Sequence, residues 1–213
     1  MATKKAAATE KVVELLPINI SEFEVKVVGT SPLIVHRFSE KAKKQIEDKQ
    51  QKRAKQAKEA RDPHEEYLAS LYVFPGDVAG VQGARYGIPA VWFKLAMVGA
   101  CRYSDGLTMT SARGAFHVMG ESPDSGGLVK LHYSELRMRE DAVTIGMGSR
   151  DLRYRREFSN WSVKLKIRYN ASCVTPDQLV NLLNTSGFGC GIGERRPSQG
   201  CSDQFGMYSV ALQ

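Results

Sequence analysis

The chain has 213 residues, 42% of them hydrophobic and 8% aromatic, with 30 Lys and Arg against 23 Asp and Glu for a formal net charge of +7. That composition suits a globular protein with a sizeable core and excludes a fibrous chain, a disulfide scaffold or wholesale disorder. The positive balance favours a polyanionic partner such as nucleic acid.

No apolar run is long enough to cross a bilayer, and the N-terminus MATKKAAATE lacks the hydrophobic block of a secretory leader, so a cytoplasmic location is expected. Residues 1–17 are small, polar and without periodicity, and read as a flexible arm ahead of one domain over 18–213. SEFEVKVV alternates Phe23, Val25 and Val27 with Glu22, Glu24 and Lys26, the pattern of a half-buried strand over 22–28. From Ser39, EKAKKQIEDKQQKRAKQAKEAR is a strong helix former with almost no apolar stripe, either a solvated helix or a basic arm over a polyanion.

GIPAVWFKLAMVGACRY predicts a helix over 88–103, opened by Pro89, burying Val91, Trp92, Leu95, Ala96 and Gly99 and turning Lys94 and Arg102 outward. LVKLHYSELRM returns to alternation and reads as a strand over 128–138. NWSVKLKIRYNA is the clearest strand, 161–170: Trp161, Val163, Leu165, Ile167 and Tyr169 point one way, and Lys164, Lys166 and Arg168 point the other. TPDQLVNLLNTSG predicts a helix over 176–186, with Thr175 as cap, Pro176 in the first turn and Gln178 completing a capping box. FGMYSVAL closes the chain as a strand within 205–212.

This βαββαβ order is that of a ferredoxin-like (RRM-like) fold of the α+β class. A helical insertion over 39–87 and a β-hairpin or thumb insertion over 139–160 interrupt it.

The loop in SGFGCGIGERRPSQG joins a helix to a strand, the wrong polarity for a dinucleotide fingerprint, and the P-loop motif is absent, so no nucleotide cofactor is expected. Cys101, Cys173, Cys190 and Cys201 form no CxxC pair and read as reduced thiols, and no metal is expected. The chemistry concentrates in basic clusters. Arg150, Arg153, Arg155 and Arg156 are interleaved with Tyr154 and Phe158, a combination that pairs with phosphates and stacks on unpaired bases. Lys164, Lys166 and Arg168 form a cationic sheet face. Gly187, Gly189, Gly191 and Gly193 would let a backbone approach a sugar-phosphate chain, beside the charges of Arg195 and Arg196.

The first strand FEVKVVGTSPLIV, the proline-opened helix and the late GFGCGIGERRPSQG loop before FGMYSV together resemble the RAMP superfamily. Within it the likeness is to the repeated backbone subunit of CRISPR effector complexes. SPLIVHRFSEKAKKQ in turn is similar to small phage-encoded proteins. The resemblance implies polymerisation along a nucleic-acid strand, with 139–160 as a thumb that separates groups of bases and the glycine-rich loop near the bound backbone. Some RAMP members cleave RNA with a histidine base, and His36, just after the first strand, matches that position. The expectation is a non-catalytic, sequence-tolerant protein that binds single-stranded RNA or DNA and assembles into a helical filament as a homo-oligomer. The alternatives are an RNA endonuclease using His36, or a phage protein that mimics a CRISPR subunit and interferes with complex assembly.

Overall fold

The computed structural model describes residues 17–53, 60–145, 148–200 and 203–211. In chain order these form β1 (Ile20–Gly29), β2 (Leu33–Val35), α1 (Glu40–Gln50), α2 (Pro63–Ala69), β3 (Gly87–Pro89), α3 (Ala90–Ala100), α4 (Met109–Ala115) and β4 (Phe116–Met119). They continue with β5 (Leu128–Lys130), β6 (Glu135–Ile145), β7 (Ser149–Ser159), β8 (Ser162–Asn170), α5 (Pro176–Gly189) and β9 (Tyr208–Val210). The arm expected over 1–17 lies almost wholly outside the described residues. No described helix is long and apolar enough to cross a membrane.

The fold is mixed α+β with antiparallel sheets. The main sheet runs β4-β8-β1-β9, and β1 lies against β8 in register from Ile20 opposite Asn170 to Val28 opposite Ser162. The strict alternation of β8 decides its two faces: Val163, Leu165, Ile167 and Tyr169 are buried, while Lys164, Lys166 and Arg168 are exposed. Helices α3 and α5 cover the buried face. Helix α5 begins with the expected capping box, Thr175 Oγ1 accepting from Gln178 N and Thr175 N donating to Gln178 Oε1. Its apolar residues Leu179, Leu182 and Leu183 all face the core.

A second sheet, β2-β7-β6, is built on the long hairpin of β6 and β7, and β3 pairs with β5 as a small ribbon. The strand expected over 128–138 is therefore split between these two units, and neither part joins the main sheet. The main sheet takes Phe116–Met119 instead, a segment of only four residues whose pairing with β8 outweighs its weak local pattern. The hairpin does not project freely either, since β7 is paired with β2 and α2 rests against it.

Helix α3 has the expected extent but a rotated core face. Ala90, Phe93, Ala96, Met97 and Ala100 are buried, whereas Val91 is 50% and Leu95 63% exposed. An almost wholly apolar helix gives periodicity little contrast, so tertiary packing chooses the face. Helix α1 forms where the lysine-rich text predicts one and makes no substantial packing contact with another element. Residues 54–59 of that stretch lie outside the described residues.

Candidate nucleic-acid interface

The expected cationic sheet face is electrically closed. Lys164 reaches Glu24 at 2.5 Å, Lys166 reaches Glu22 at 2.7 Å, and Arg168 reaches the same Glu22 at 2.9 Å. The hydrogen bond from Lys166 holds the Glu22 carboxyl below its usual range, and that to Glu24 raises Lys164. The antiparallel register makes this unavoidable, because the acids that alternate along β1 share a face with the bases that alternate along β8.

The arginine-rich strand β7 is divided between interior and surface. Arg155 is 3% exposed, with Asp141 at 3.5 Å and Glu194 at 3.6 Å. Arg156 is buried on the opposite side of the sheet, its guanidinium 3.1 Å above the centre of the Tyr67 ring, and Phe158 is buried beside Tyr86 and Tyr133. These three cannot meet a ligand as an open platform. Arg150 is exposed and Arg153 and Tyr154 are half-buried, and no described carboxylate pairs with either arginine.

The loop glycines serve the fold. Gly187 and Gly189 belong to α5, and a Cβ on Gly187 would lie 1.9 Å from the Tyr208 carbonyl oxygen. Gly191 (φ +65) and Gly193 (φ +74) are left-handed, and a Cβ on Gly193 would lie 2.4 Å from the Ile34 carbonyl. The close approach is to this chain's own backbone. Arg195, also left-handed at φ +56, joins the loop to the hairpin through Asp141 at 2.8 Å and to the segment before β9 through Asp203 at 2.7 Å.

A further open feature is a groove of about 370 Å³ between α3, the turn that follows it, and residues 190–198. Arg102 and Arg196 line it. Arg102 donates to the Gly99 carbonyl (3.0 Å), and Arg196 donates to the Gly193 carbonyl (2.6 Å) and to Ser198 Oγ (3.2 Å). Among the described residues neither has a carboxylate partner. Trp92 forms one wall, braced edge-on against Tyr72 at 5.5 Å. Tyr103 is 56% exposed and lies against Gly189. Cys190, at the base, has its thiol pushed up by burial and is not an activated nucleophile. Glu194 at one end is engaged by Arg155.

Comparison with known proteins finds likenesses among solved structures. No protein-family model matches the chain, and no curated protein matches it. The crystal structure of Cmr6 from Pyrococcus furiosus aligns over 91% of this chain and 98% of that one, with a TM-score of 0.41 and 9% sequence identity.

Of the sequence-derived site residues, Arg196 and the loop glycines Gly191 and Gly193 line the groove. Trp92 was expected in the core, and Arg102 and Tyr103 stood outside every cluster singled out above. Their signal is positional: Trp92, Ala96, Gly99 and Tyr103 follow helical spacing along one side of α3 and its continuation. His36 follows β2, half-buried, with Nδ1 enclosed and unpartnered. Burial first, then Arg155, keeps its imidazole below the ordinary histidine range, against the opposing pull of Glu194. The neighbouring acids are already committed, Glu194 to Arg155 and Glu66 to Arg61. The described residues hold no group of three or more metal-ligating side chains, and Cys101, Cys173 and Cys190 are free thiols.

Proposed function

We propose that this chain is a non-catalytic, largely sequence-independent single-stranded nucleic-acid-binding protein whose contact surface is the groove between α3 and the loop after α5. The observation that carries the reading is the placing of two guanidinium groups that have no acidic partner among the described residues, Arg102 and Arg196, with the rings of Trp92 and Tyr103 along one channel. Guanidinium forks bind phosphate oxygens, and aromatic faces accept any base, which gives affinity without a sequence code. Copies associate head to tail along the strand through the exposed apolar residues Val91, Leu95 and Phe188. We read the succession β1, α3, β4, β8, α5, β9 as a ferredoxin-like core, in keeping with the RAMP resemblance of the sequence.

Binding of a fluorescent single-stranded oligonucleotide, titrated at several salt concentrations, tests this. Affinity is expected to fall by orders of magnitude from low to moderate salt, and the Arg102→Ala, Arg196→Ala double variant loses affinity together with a slope of about 1.4, or roughly 0.7 per phosphate contact. Lys164→Ala with Lys166→Ala leaves the slope unchanged. A salt-independent wild type, or a double variant that binds like wild type, sinks the proposal.

A second reading, an RNA endonuclease using His36, is favoured by the neutral imidazole that burial enforces. Labelled RNA incubated with wild type and His36→Ala decides it: cleavage that disappears in the variant would replace the binding-only account.

A further inference from the structure

Arg156 is 6% exposed and carries a charge for which the described chain supplies no counter-ion. Its Nε is enclosed without an acceptor. Among the described residues its one side-chain partner is the Tyr67 ring, over whose centre the guanidinium carbon lies at 3.1 Å. On α2, Glu66 is taken by Arg61 at 2.6 Å. A ring face offsets only part of the cost of taking a cation out of water, whereas an oxyanion offsets much more. Burial alone pushes the Arg156 pKa down to about 10, so the group stays charged at neutral pH and the deficit persists. A buried polar group left unmatched marks the place of a missing partner, and Arg156, unlike Arg155 with its equally enclosed Nε, has no ion pair elsewhere on its guanidinium among the described residues. The surroundings suit a small one: the exposed His64 has its ring centre 5.9 Å from that of Tyr67, and Tyr154, half-buried, shares the sheet face of Arg156.

We propose that Arg156, Tyr67 and His64 form a compact anion site, sized for a single phosphate group and entered across α2. The site lies on the opposite face of the β2-β7-β6 sheet from Arg155 and Glu194, and so apart from the groove assigned to nucleic acid. The ligand is either free phosphate or the terminal phosphate of a strand. In both, the fork of Arg156 takes two oxygens.

Thermal melting in sodium phosphate and in sodium chloride of equal ionic strength tests the site. The wild type is expected to melt about 2–4 °C higher in phosphate, the shift that a ligand at a few times its Kd gives a chain of this length. Arg156→Met loses this difference and melts at least as high as wild type in chloride, because the uncompensated cation is gone. His64→Ala, at an exposed position, folds normally and shows a reduced difference, which keeps the test decisive should Arg156→Met fold poorly. Arg102→Ala retains the full difference, so failure of the groove and failure of this site are separable. Oligonucleotides with a 5′-phosphate or a 5′-hydroxyl distinguish the sources: tighter binding of the former assigns a strand end, and equal binding assigns free phosphate. Equal melting of the wild type in the two salts, or a phosphate effect that survives both Arg156→Met and His64→Ala, overturns the assignment.

Discussion

Gly187 shows how a loop-like sequence can be a packing device. A methyl group there would fall inside the Tyr208 carbonyl, so Gly187→Ala forces α5 away from β9 and should cost about 3 kcal/mol by overpacking, read as a lowered midpoint in urea unfolding. His36 and His117 both have imidazoles held below the usual range, each first by burial, then by Arg155 and Lys94 respectively. Since the folded values lie below the unfolded value, their contribution is fully present above about pH 6.5 and is lost as pH falls toward the folded values. The melting temperature is expected to decline from pH 6.5 downward, and more gently in a His36→Gln, His117→Gln variant. At this scale the sequence was legible where one residue's neighbours were local, as at Thr175 and Gln178. It was misleading where the partner came from afar. Nothing in NWSVKLKIRYNA says that Glu22 and Glu24 will lie beside its bases, because that follows from register.

At the scale of elements, the hairpin of β6 and β7 is held by an alternating lattice of charge. Glu157, fully buried, accepts from Arg137 and from Arg139 at 2.9 Å, while Asp141 gathers Arg139, Arg155 and Arg195. Removing one member strands buried charge, so Asp141→Ala should destabilise by about 3–5 kcal/mol and should loosen residues 190–198, checked by denaturant titration and amide exchange. β1, β8 and α5 could be read from the text because period and capping agreed. β4 could not, because four residues carry no usable period, and α3 showed its extent but not its orientation, because its mean composition is apolar on every side. The candidate groove was half legible for the same reason: Arg196 stood in a visible basic cluster, whereas Arg102, Tyr103 and Trp92 become a site only once that helix is turned.

At the scale of the molecule, the formal net charge of +7 survives internal pairing, which removes one charge of each sign, but the arginines of the hairpin and the lysines of the sheet that are paired are withdrawn from a ligand. Association with a strand should accordingly be moderate per subunit and gain from neighbour contacts, so electron microscopy is expected to show regular particles with oligonucleotide and dispersed subunits without it. The main sheet has one more consequence. β1 is flanked by β8 and by β9, with Val27 opposite both Val163 and Val210. During synthesis β1 therefore emerges from the ribosome long before either neighbour exists: its edge toward β8 stays unmatched until residues 162–170 are made, and its edge toward β9 until residues 208–210 are. Such long-range closure slows folding and leaves the nascent chain open to aggregation, so its yield in the cell should depend on chaperones that shelter an unfinished sheet.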